Sequence, residues 1–495
     1  MPPRSVPCSA LAAAVGLLCF ACSPGAEDRP AAPKLQNRRP NLVIYLIDTL
    51  RADHTSLYGY GRPTTPRMEA LALESWVFDQ ARSQAPWTLP STVSLFTSTY
   101  PSTHGVLSGV HTLDRSVMTF VEFIKEHGYH TMGFVTNGLG GRNAGLAEGY
   151  DAFYQLPPVE SGPAFAKERP LYDILEAFDG EAPFFLYVHQ LEPHDPYLAV
   201  NNTTWHPVDA DRVEQLNQDC SRFGGVLRRR ERGEPAPGDP ALAGPLAEFE
   251  SRGVFDVASL YDGDVLEADR DLGRLIDYLK ARGEWEDTVF VLVADHGEEF
   301  LEHGHLGHGQ SLYDELVRVP MVIRIPGQAG AARRSQEPVQ LIDIAPTLAE
   351  ILGVEPLDFW EGRSLWPLIE GGGLGLRGSL SMREEVDRPM KGRRGDRETA
   401  LVLDGWKLIA HHETSRYSLF NLSVDPAEAH DLSSEQPVRL AALRKELEQR
   451  LAKLVRLPMR AQEEQMSDET FLQMQVLGYI DRDQQPPART EPSDN

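Results

Sequence analysis

Asn41-Leu-Val-Ile-Tyr-Leu-Ile47 is the stretch that decides the fold, and it leads directly into the carboxylate of Asp48. An unbroken apolar run of this length fits a strand that is buried on both faces, as in a parallel sheet covered by helices. Helical patterns recur between the strand-like runs, at residues 67–74, 120–126 and 261–279. This alternation predicts an α/β fold with a doubly wound, mostly parallel sheet flanked by helices.

Two further apolar runs, residues 184–188 and 288–294, also end in polar residues. The first leads into His189, and the second leads into Asp295 and His296. In open α/β sheets, ligands bind at the carboxyl ends of the strands. We therefore expect these side chains to meet Asp48 at one edge of the sheet, although a carboxylate there could also be a structural helix cap.

The segment around Thr88, Trp87-Thr-Leu-Pro-Ser-Thr92, has the pattern of a helix start. Pro90 suits the first turn of a helix, so Thr88 is expected just before the helix begins. The exposed N–H groups and the dipole of a helix N-terminus favour an anion and stabilise an alkoxide. Thr88 is thus a candidate nucleophile, and a simple N-cap is the alternative.

Histidines are concentrated in two segments of the chain. One segment contains His296, His303, His305 and His308, four histidines within 13 residues, which core packing does not readily explain. The other is Pro193-His194-Asp-Pro-Tyr197. Asp and His side chains together suit a divalent cation that accepts mixed oxygen and nitrogen ligands. Histidines beside such a site are candidates for general acids or for contacts to the transferred group.

The charge balance excludes one large class of partner. The formal net charge is −25, whereas proteins that bind nucleic acid concentrate Lys and Arg on their surface. An acidic protein that handles small anions needs local positive charge, which a bound cation can supply.

The N-terminus predicts export. Residues 1–22 resemble a signal in which Arg4 precedes an apolar run that ends near Cys22, the expected lipidated residue. A periplasmic or outer-membrane lipoprotein is predicted, with contact to the membrane only through that lipid anchor. Plain secretion and an apolar start without a targeting role are the alternatives. Residues 23–39 are predicted to form a flexible tether.

Changes in composition and pattern divide the remaining chain into three parts. Residues 40–374 are predicted to form a catalytic domain, with a polar, proline-containing insertion at 201–250. Residues 375–460 are predicted to form a small C-terminal α+β subdomain, and residues 461–495 a mostly polar tail.

Taken in chain order, these motifs resemble the sulfatase family of the alkaline phosphatase superfamily, over residues 40 to about 435. The segments that carry the resemblance are the opening strand with Asp48, Leu89-Pro-Ser91, Tyr100-Pro-Ser-Thr-His-Gly105, Pro193-His194-x-Pro-Tyr197, Asp295-His296-Gly297, Val319-Pro320, Asp343-Ile-Ala-Pro-Thr347, Gly362-Arg-Ser-Leu365, Gly405-Trp-Lys407 and Asp425-Pro-x-Glu428.

The resemblance implies roles by position. One divalent metal ion (Ca, Mg, Mn or Zn) is expected on the ligands Asp48, Thr88, Asp295 and His296. Thr88 matches the nucleophile. The other histidines are expected around the ester, as catalytic groups at His194 and His308 and as substrate contacts at His189, His303 and His305.

The sequence departs from the family pattern at three places. Sulfatases carry Cys or Ser where Thr88 stands, within a Cys/Ser-x-Pro-x-Arg signal, and convert it to formylglycine. Thr cannot yield that aldehyde, and Thr92 replaces the Arg, so no formylglycine is expected. The family's Asp-Asp pair is Asp48-Thr49, and Gly133-Phe-Val-Thr-Asn137 stands where a Gly-Lys-x-His segment is usual.

The resemblance therefore predicts a metal-dependent hydrolase of sulfate or phosphate (di)esters, acting on a small or polymeric anionic ester. The unmodified Thr favours phosphate, because Thr is the nucleophile in phosphodiesterases of the superfamily. The alternatives are a transferase that moves a phosphoryl group to an envelope acceptor, and an inactive binding protein on the same fold.

Overall fold

The apolar run after residue 40 forms a middle strand of an eight-stranded sheet. The computed structural model describes residues 39–156, 164–197, 205, 208–231, 243–328, 333–375, 378–384, 397–454, 462–463 and 468–476. The expected signal, nearly all of the tether and most of the tail lie outside these residues.

The strands are short to medium in length. In chain order they are β1 (Asn41–Ile47), β2 (Trp76–Arg82), β3 (His111–Thr112), β4 (His130–Val135), β5 (Ala152–Gln155), β6 (Phe184–Gln190), β7 (Thr288–Ala294), β8 (Glu299–Phe300), β9 (Leu306–Gly307), β10 (Met321–Arg324), β11 (Arg333–Gln340), β12 (Gly378–Glu384), β13 (Arg397–Leu403), β14 (Trp406–His411), β15 (Arg416–Asn421) and β16 (Gln462–Glu463).

The helices follow the same order. They are α1 (Pro66–Ala72), α2 (Thr88–Thr97), α3 (Pro101–His104), α4 (Phe120–Glu126), α5 (Ala164–Ala177), α6 (Ala210–Glu231), α7 (Ala243–Glu248), α8 (Val254–Ala281), α9 (Asp314–Val317), α10 (Ile344–Leu352), α11 (Trp366–Ile369), α12 (Pro437–Leu451) and α13 (Asp468–Val476). A π-helical turn at Phe249–Gly253 joins α7 to α8. None of the described helices contains an apolar stretch long enough to cross a membrane.

The large sheet has the order β11-β2-β10-β7-β1-β6-β4-β5. β10 pairs antiparallel with β7 and β2, and the other pairings within this sheet are parallel. Every residue of β6 and β7 is buried, so both faces of the sheet are covered. The prediction of a doubly wound, mostly parallel sheet is thus confirmed.

The register aligns the strand ends. In β1, Ile47 lies opposite Ala294 of β7 and Gln190 of β6, and His189 of β6 lies opposite Val135 of β4. Four neighbouring strands therefore end at the same edge, and the residues that follow them can share one site.

The C-terminal subdomain is an antiparallel sheet in the order β12-β13-β14-β15, with α12 packed against it through Leu443 and Leu447. This agrees with the α+β character expected after residue 375. Lys407 on β14 is fully buried and forms ion pairs of 2.9 Å with both Asp314 of α9 and Glu428. The two carboxylates thus join the subdomain to the catalytic domain through one ammonium group.

The segment 201–250 contains more regular structure than its polar composition suggests. Its described part includes the 22-residue helix α6, in which Leu216 and Phe223 are buried. The Asn217 side chain exchanges two hydrogen bonds of 2.9 Å with the backbone of Tyr197. A packed helix therefore forms part of the predicted insertion.

Lys407→Ala should destabilise the protein by roughly 3–5 kcal/mol, because it leaves the buried Glu428 carboxylate without its cation and Asp314 with Arg82 alone. The free energy of unfolding from urea melts is the measurement. Lys445→Ala, on the exposed side of α12, is the matched control and should change stability by less than about 0.5 kcal/mol. Equal effects of the two substitutions would contradict the role of this ion-pair junction.

Candidate active site

Four neighbouring strands deliver polar side chains to one edge of the sheet. In the order β7, β1, β6 and β4, the residues at or just beyond the strand ends are Asp295, Asp48, His189 and Asn137. All four are completely buried. Burying ionisable groups is unfavourable unless they are paired or bind a metal, so their convergence marks a functional site.

Three of the expected metal ligands converge. Asp48, Asp295 and His296 each offer one ligand atom, and these atoms lie within 4.8 Å of one another. Asp295 Oδ1 accepts backbone hydrogen bonds from Thr49 (3.2 Å) and His296 (2.9 Å), whereas its buried Oδ2 accepts none from the described residues. His296 Nδ1 lies 2.8 Å from the carbonyl of Gly297, which leaves Nε2 to face the carboxylates. The donor set fits one divalent cation.

The electrostatics of this trio also favour a cation. Burial, together with the nearby charge of Asp48, raises the pKa of Asp295 well above its ordinary value. Burial would also raise the pKa of Asp48, but the hydrogen bond from His189 and the neighbouring histidines outweigh it and hold that pKa low. Burial and the neighbouring His308 lower the pKa of His296, which keeps the ring neutral as a ligand must be. A divalent cation would offset the repulsion between the two carboxylates.

Thr88 lies beside these ligands, as the first residue of α2 rather than just before it. Trp87, in extended conformation with φ −159°, is the capping residue. The Thr88 hydroxyl Oγ1 is 3.2 Å from His296 Nε2 and 3.4 Å from Asp48 Oδ1. The hydroxyl is fully buried at a helix N-terminus, where the dipole stabilises negative charge.

The remaining two candidate catalytic groups adjoin this centre. The His308 ring lies 4.6 Å from the His296 ring and 4.8 Å from the His194 ring, measured between centroids. His308 Nδ1 contacts Glu298 Oε1 at 2.9 Å, so Nε2 is the nitrogen left for other contacts. Burial lowers the pKa of His194, but Asp48, Asp195 and Glu298 outweigh it, so the net pKa is raised.

The other two histidines of the loop face elsewhere. The His303 ring is held between the Glu315 carboxylate and the backbone carbonyl of Glu428, at the junction with the C-terminal subdomain. His305 lies near Arg383 of β12, and burial and that charge lower its pKa to about 4. The roles of His303 and His305 as substrate contacts stay predictions, and the structure places the His303 ring against Glu315 and Glu428 rather than against Thr88.

His189 also differs from the expected substrate contact. Its Nε2 is 3.2 Å from Asp48 Oδ2, and its Nδ1 is 3.2 Å from the Tyr187 hydroxyl. Both ring nitrogens are therefore engaged within the protein. The physical reason is its place one residue before the end of β6, where the side chain lies beside the strand that carries Asp48.

Two residues of the site had no role in the sequence-based prediction. Asn137 donates to Asp48 Oδ2 at 2.7 Å, and Glu298 contacts His308. Asn137 follows β4 and could have been found by the rule that identified Asp48, since both are polar residues after a buried strand. Glu298 follows Asp295-His296-Gly297 directly, but no sequence pattern shows which way its side chain points.

Comparisons with known proteins identify the family. The sulfatase family model matches residues 40–354, and a model of the N-sulphoglucosamine sulphohydrolase C-terminal region matches residues 302–457. The first model covers more than half of the chain. The chain belongs to the sulfatase family, and it is a sulfatase-like hydrolase.

Individual relatives are distant. An N-acetylglucosamine-6-O-sulfatase of Bacteroides thetaiotaomicron is 24% identical over 405 residues, which cover 69% of this chain and 72% of that protein. The multifunctional alkaline phosphatase superfamily protein PehA of Trinickia caryophylli is 30% identical over 232 residues, 44% of this chain and 43% of that protein. The crystal structure of a phosphonate monoester hydrolase of Agrobacterium radiobacter superposes with a TM-score of 0.67 at 20% identity, covering 84% of this chain and 96% of that one.

Asp295→Asn should stabilise the metal-free protein, because a neutral amide replaces a carboxyl group that burial and Asp48 make costly to ionise, while the Oδ1 acceptor is kept. Added divalent cation at a hundredfold excess over Kd should stabilise the wild type by about 2.7 kcal/mol and the variant much less. Melting curves with chelator and with Mn²⁺ are the measurement. A variant that is less stable than the wild type in chelator, yet gains as much from Mn²⁺, would contradict this cation site.

Glu299→Gln should change the pH dependence of stability. Burial and the nearby Glu315 raise the pKa of Glu299 from 4.5 to about 8. A raised folded-state pKa contributes stability that is complete below about pH 4.5 and is lost as pH rises through about 8. The melting temperature of the variant should therefore rise relative to the wild type between pH 5 and 9. The exposed Glu435→Gln should run parallel to the wild type, and a parallel curve for Glu299→Gln would refute the prediction.

Proposed function

We propose that this protein is a metal-dependent hydrolase of sulfate or phosphate (di)esters that uses Thr88 as a covalent nucleophile. The observation that carries the proposal is the position of the Thr88 hydroxyl, within 3.4 Å of both Asp48 Oδ1 and His296 Nε2 at the start of α2. A structural N-cap threonine has no reason to lie against a buried cluster of Asp and His.

The cation would be held by Asp48, Asp295 and His296, with the Thr88 hydroxyl beside it. When bound, a divalent cation supplies Lewis-acid polarisation of the ester oxygens and lowers the pKa of a neighbouring hydroxyl. The site contains three buried carboxylates, on Asp48, Asp295 and Glu298, which repel an anionic ester. Positive charge is therefore needed for the substrate to enter.

The chain's own groups account for the bond changes. The Thr88 hydroxyl would release its proton to solvent water, and the alkoxide would attack phosphorus or sulfur, which forms a Thr ester and displaces the alcohol. The N-terminus of α2, where Thr88 lies, would stabilise the negative charge that develops. A water molecule then hydrolyses the Thr ester, which restores the hydroxyl and releases sulfate, phosphate or, from a diester, a phosphate monoester.

His194 and His308 would hold the ester oxygens and give a proton to the departing alcohol. His194 has a raised pKa, so it carries a proton at higher pH than an ordinary histidine. The Glu298 carboxyl holds Nδ1 of His308, which directs Nε2 away from Glu298. This arrangement resembles the pairing of a carboxylate with a catalytic imidazole.

The substrate class is an anionic ester, and the unmodified Thr favours phosphate. Relatives named for sulfated sugars, together with the partial match to a multifunctional phosphatase-superfamily protein, support testing both chemistries. A panel of aryl sulfate, phosphate monoester, phosphate diester and phosphonate, assayed with metal content measured, would assign the class. No turnover of any member by metal-loaded protein would contradict the proposal.

Thr88→Ala should leave the fold and metal content nearly intact, because it removes a small group from the site. Activity should nevertheless fall by several orders of magnitude, since the covalent step is lost. Mass spectrometry after trapping with a slow substrate should find the adduct on the peptide that contains Thr88. Thr88→Ser, which keeps a hydroxyl, is the control and should retain part of the activity. Full turnover by Thr88→Ala would show direct attack by water.

A further inference from the structure

We propose that Asn137 and His189 are positioning residues that hold the Asp48 carboxylate in the orientation that the cation requires. Both donate to Oδ2 of Asp48, which leaves Oδ1 to face the cation and Thr88. The inference rests on the proposed function, because it assumes a cation on Asp48. It gives Asn137, which follows β4, and His189, on β6, a positioning role that the sequence motifs do not indicate.

The two oxygens of Asp48 have different surroundings. Oδ2 accepts the Asn137 amide at 2.7 Å and is 3.2 Å from His189 Nε2. Oδ1 lies 3.4 Å from the Thr88 hydroxyl and 3.5 Å from His296 Nε2, on the side of the candidate ligands. A carboxylate with two donors on one oxygen is restrained in rotation.

Both donors are themselves held in place. The Asn137 Oδ1 accepts the backbone N–H of Leu139 at 3.0 Å, so the amide must turn its Nδ2 toward Asp48. For His189, a Tyr187 hydroxyl that donates to Nδ1 leaves the proton on Nε2 for Asp48. The side chains that form these hydrogen bonds, from Tyr187 through His189 to Asp48 and Asn137, are all buried.

Gly140 provides the space for the His189 ring. A Cβ atom at this position would lie 2.2 Å from Nδ1 and 2.4 Å from Cε1 of His189, distances that no side chain tolerates. Gly140 does not adopt a left-handed conformation, so alanine fits the backbone but must displace the ring. A single methyl group can thus disturb Asp48 without altering any group that contacts cation or substrate.

The experiment measures binding of Mn²⁺ alone to the metal-free full-length protein, with free Mn²⁺ followed by EPR. Loss of the hydrogen-bond partners of metal ligands typically weakens metal affinity by about 10–100-fold. We expect weakening in this range for Gly140→Ala, His189→Phe and Asn137→Leu, and more for the double variant at 137 and 189. Gly61→Ala is the matched control, since a Cβ there meets nothing within 4 Å, and its Kd should not change.

Two further measurements separate positioning from support of the fold. His189→Gln keeps a side-chain donor and should recover much of the affinity that His189→Phe loses, and it keeps the proposal testable if the Phe variant does not fold. At saturating Mn²⁺, kcat of Gly140→Ala should return toward the wild-type value. Variants that lower the melting temperature of the metal-free protein but bind Mn²⁺ with wild-type Kd would overturn the proposal.

Asp48→Ala, measured in the same series, distinguishes failure of the positioning proposal from failure of the proposed cation site. If it abolishes Mn²⁺ binding while the Gly140, His189 and Asn137 variants bind normally, the positioning proposal is wrong and the proposed function stands. If Asp48→Ala binds Mn²⁺ like the wild type, the cation site of the proposed function is wrong as well.

Discussion

The repulsion between two buried carboxylates is the constraint around which this structure is organised. Asp48 and Asp295 follow adjacent parallel strands and offer oxygens within 4.8 Å of each other, with no exposure to water. The protein supplies partial compensation through backbone N–H groups, an amide and imidazoles, and a divalent cation on the candidate ligands would supply more.

Much of the fold could be predicted from the sequence, because strands of a buried parallel sheet are recognisable as apolar runs. β1 and β7 begin and end where residues 41–47 and 288–294 predict, and α4 covers residues 120–126 as expected. The helix α6 could not be predicted in the same way, since its buried residues are few among charged ones. The prolines that flank it in the sequence also favoured an irregular segment.

The candidate metal ligands could be predicted from the sequence, but the residues that hydrogen-bond to them could not. Asp48, Asp295, His296 and Thr88 were identified by motif, and the structure brings them together. Histidine density alone could not separate His308, which lies against His296, from His303, which pairs with Glu315. In a loop that bends back on itself, side-chain direction depends on contacts that are remote in sequence, such as the Glu428 carbonyl at His303.

The buried Lys407 has a consequence for exchanging the C-terminal part of this chain. Its two partners belong to different parts of the chain: Asp314 follows the histidine-rich loop, and Glu428 comes after the antiparallel sheet. A C-terminal segment without a lysine at this position would leave the Glu428 carboxylate buried without a cation and Asp314 with Arg82 alone. The C-terminal sheet is therefore matched to the catalytic domain at this junction, and a replacement segment would have to bring the ammonium group with it.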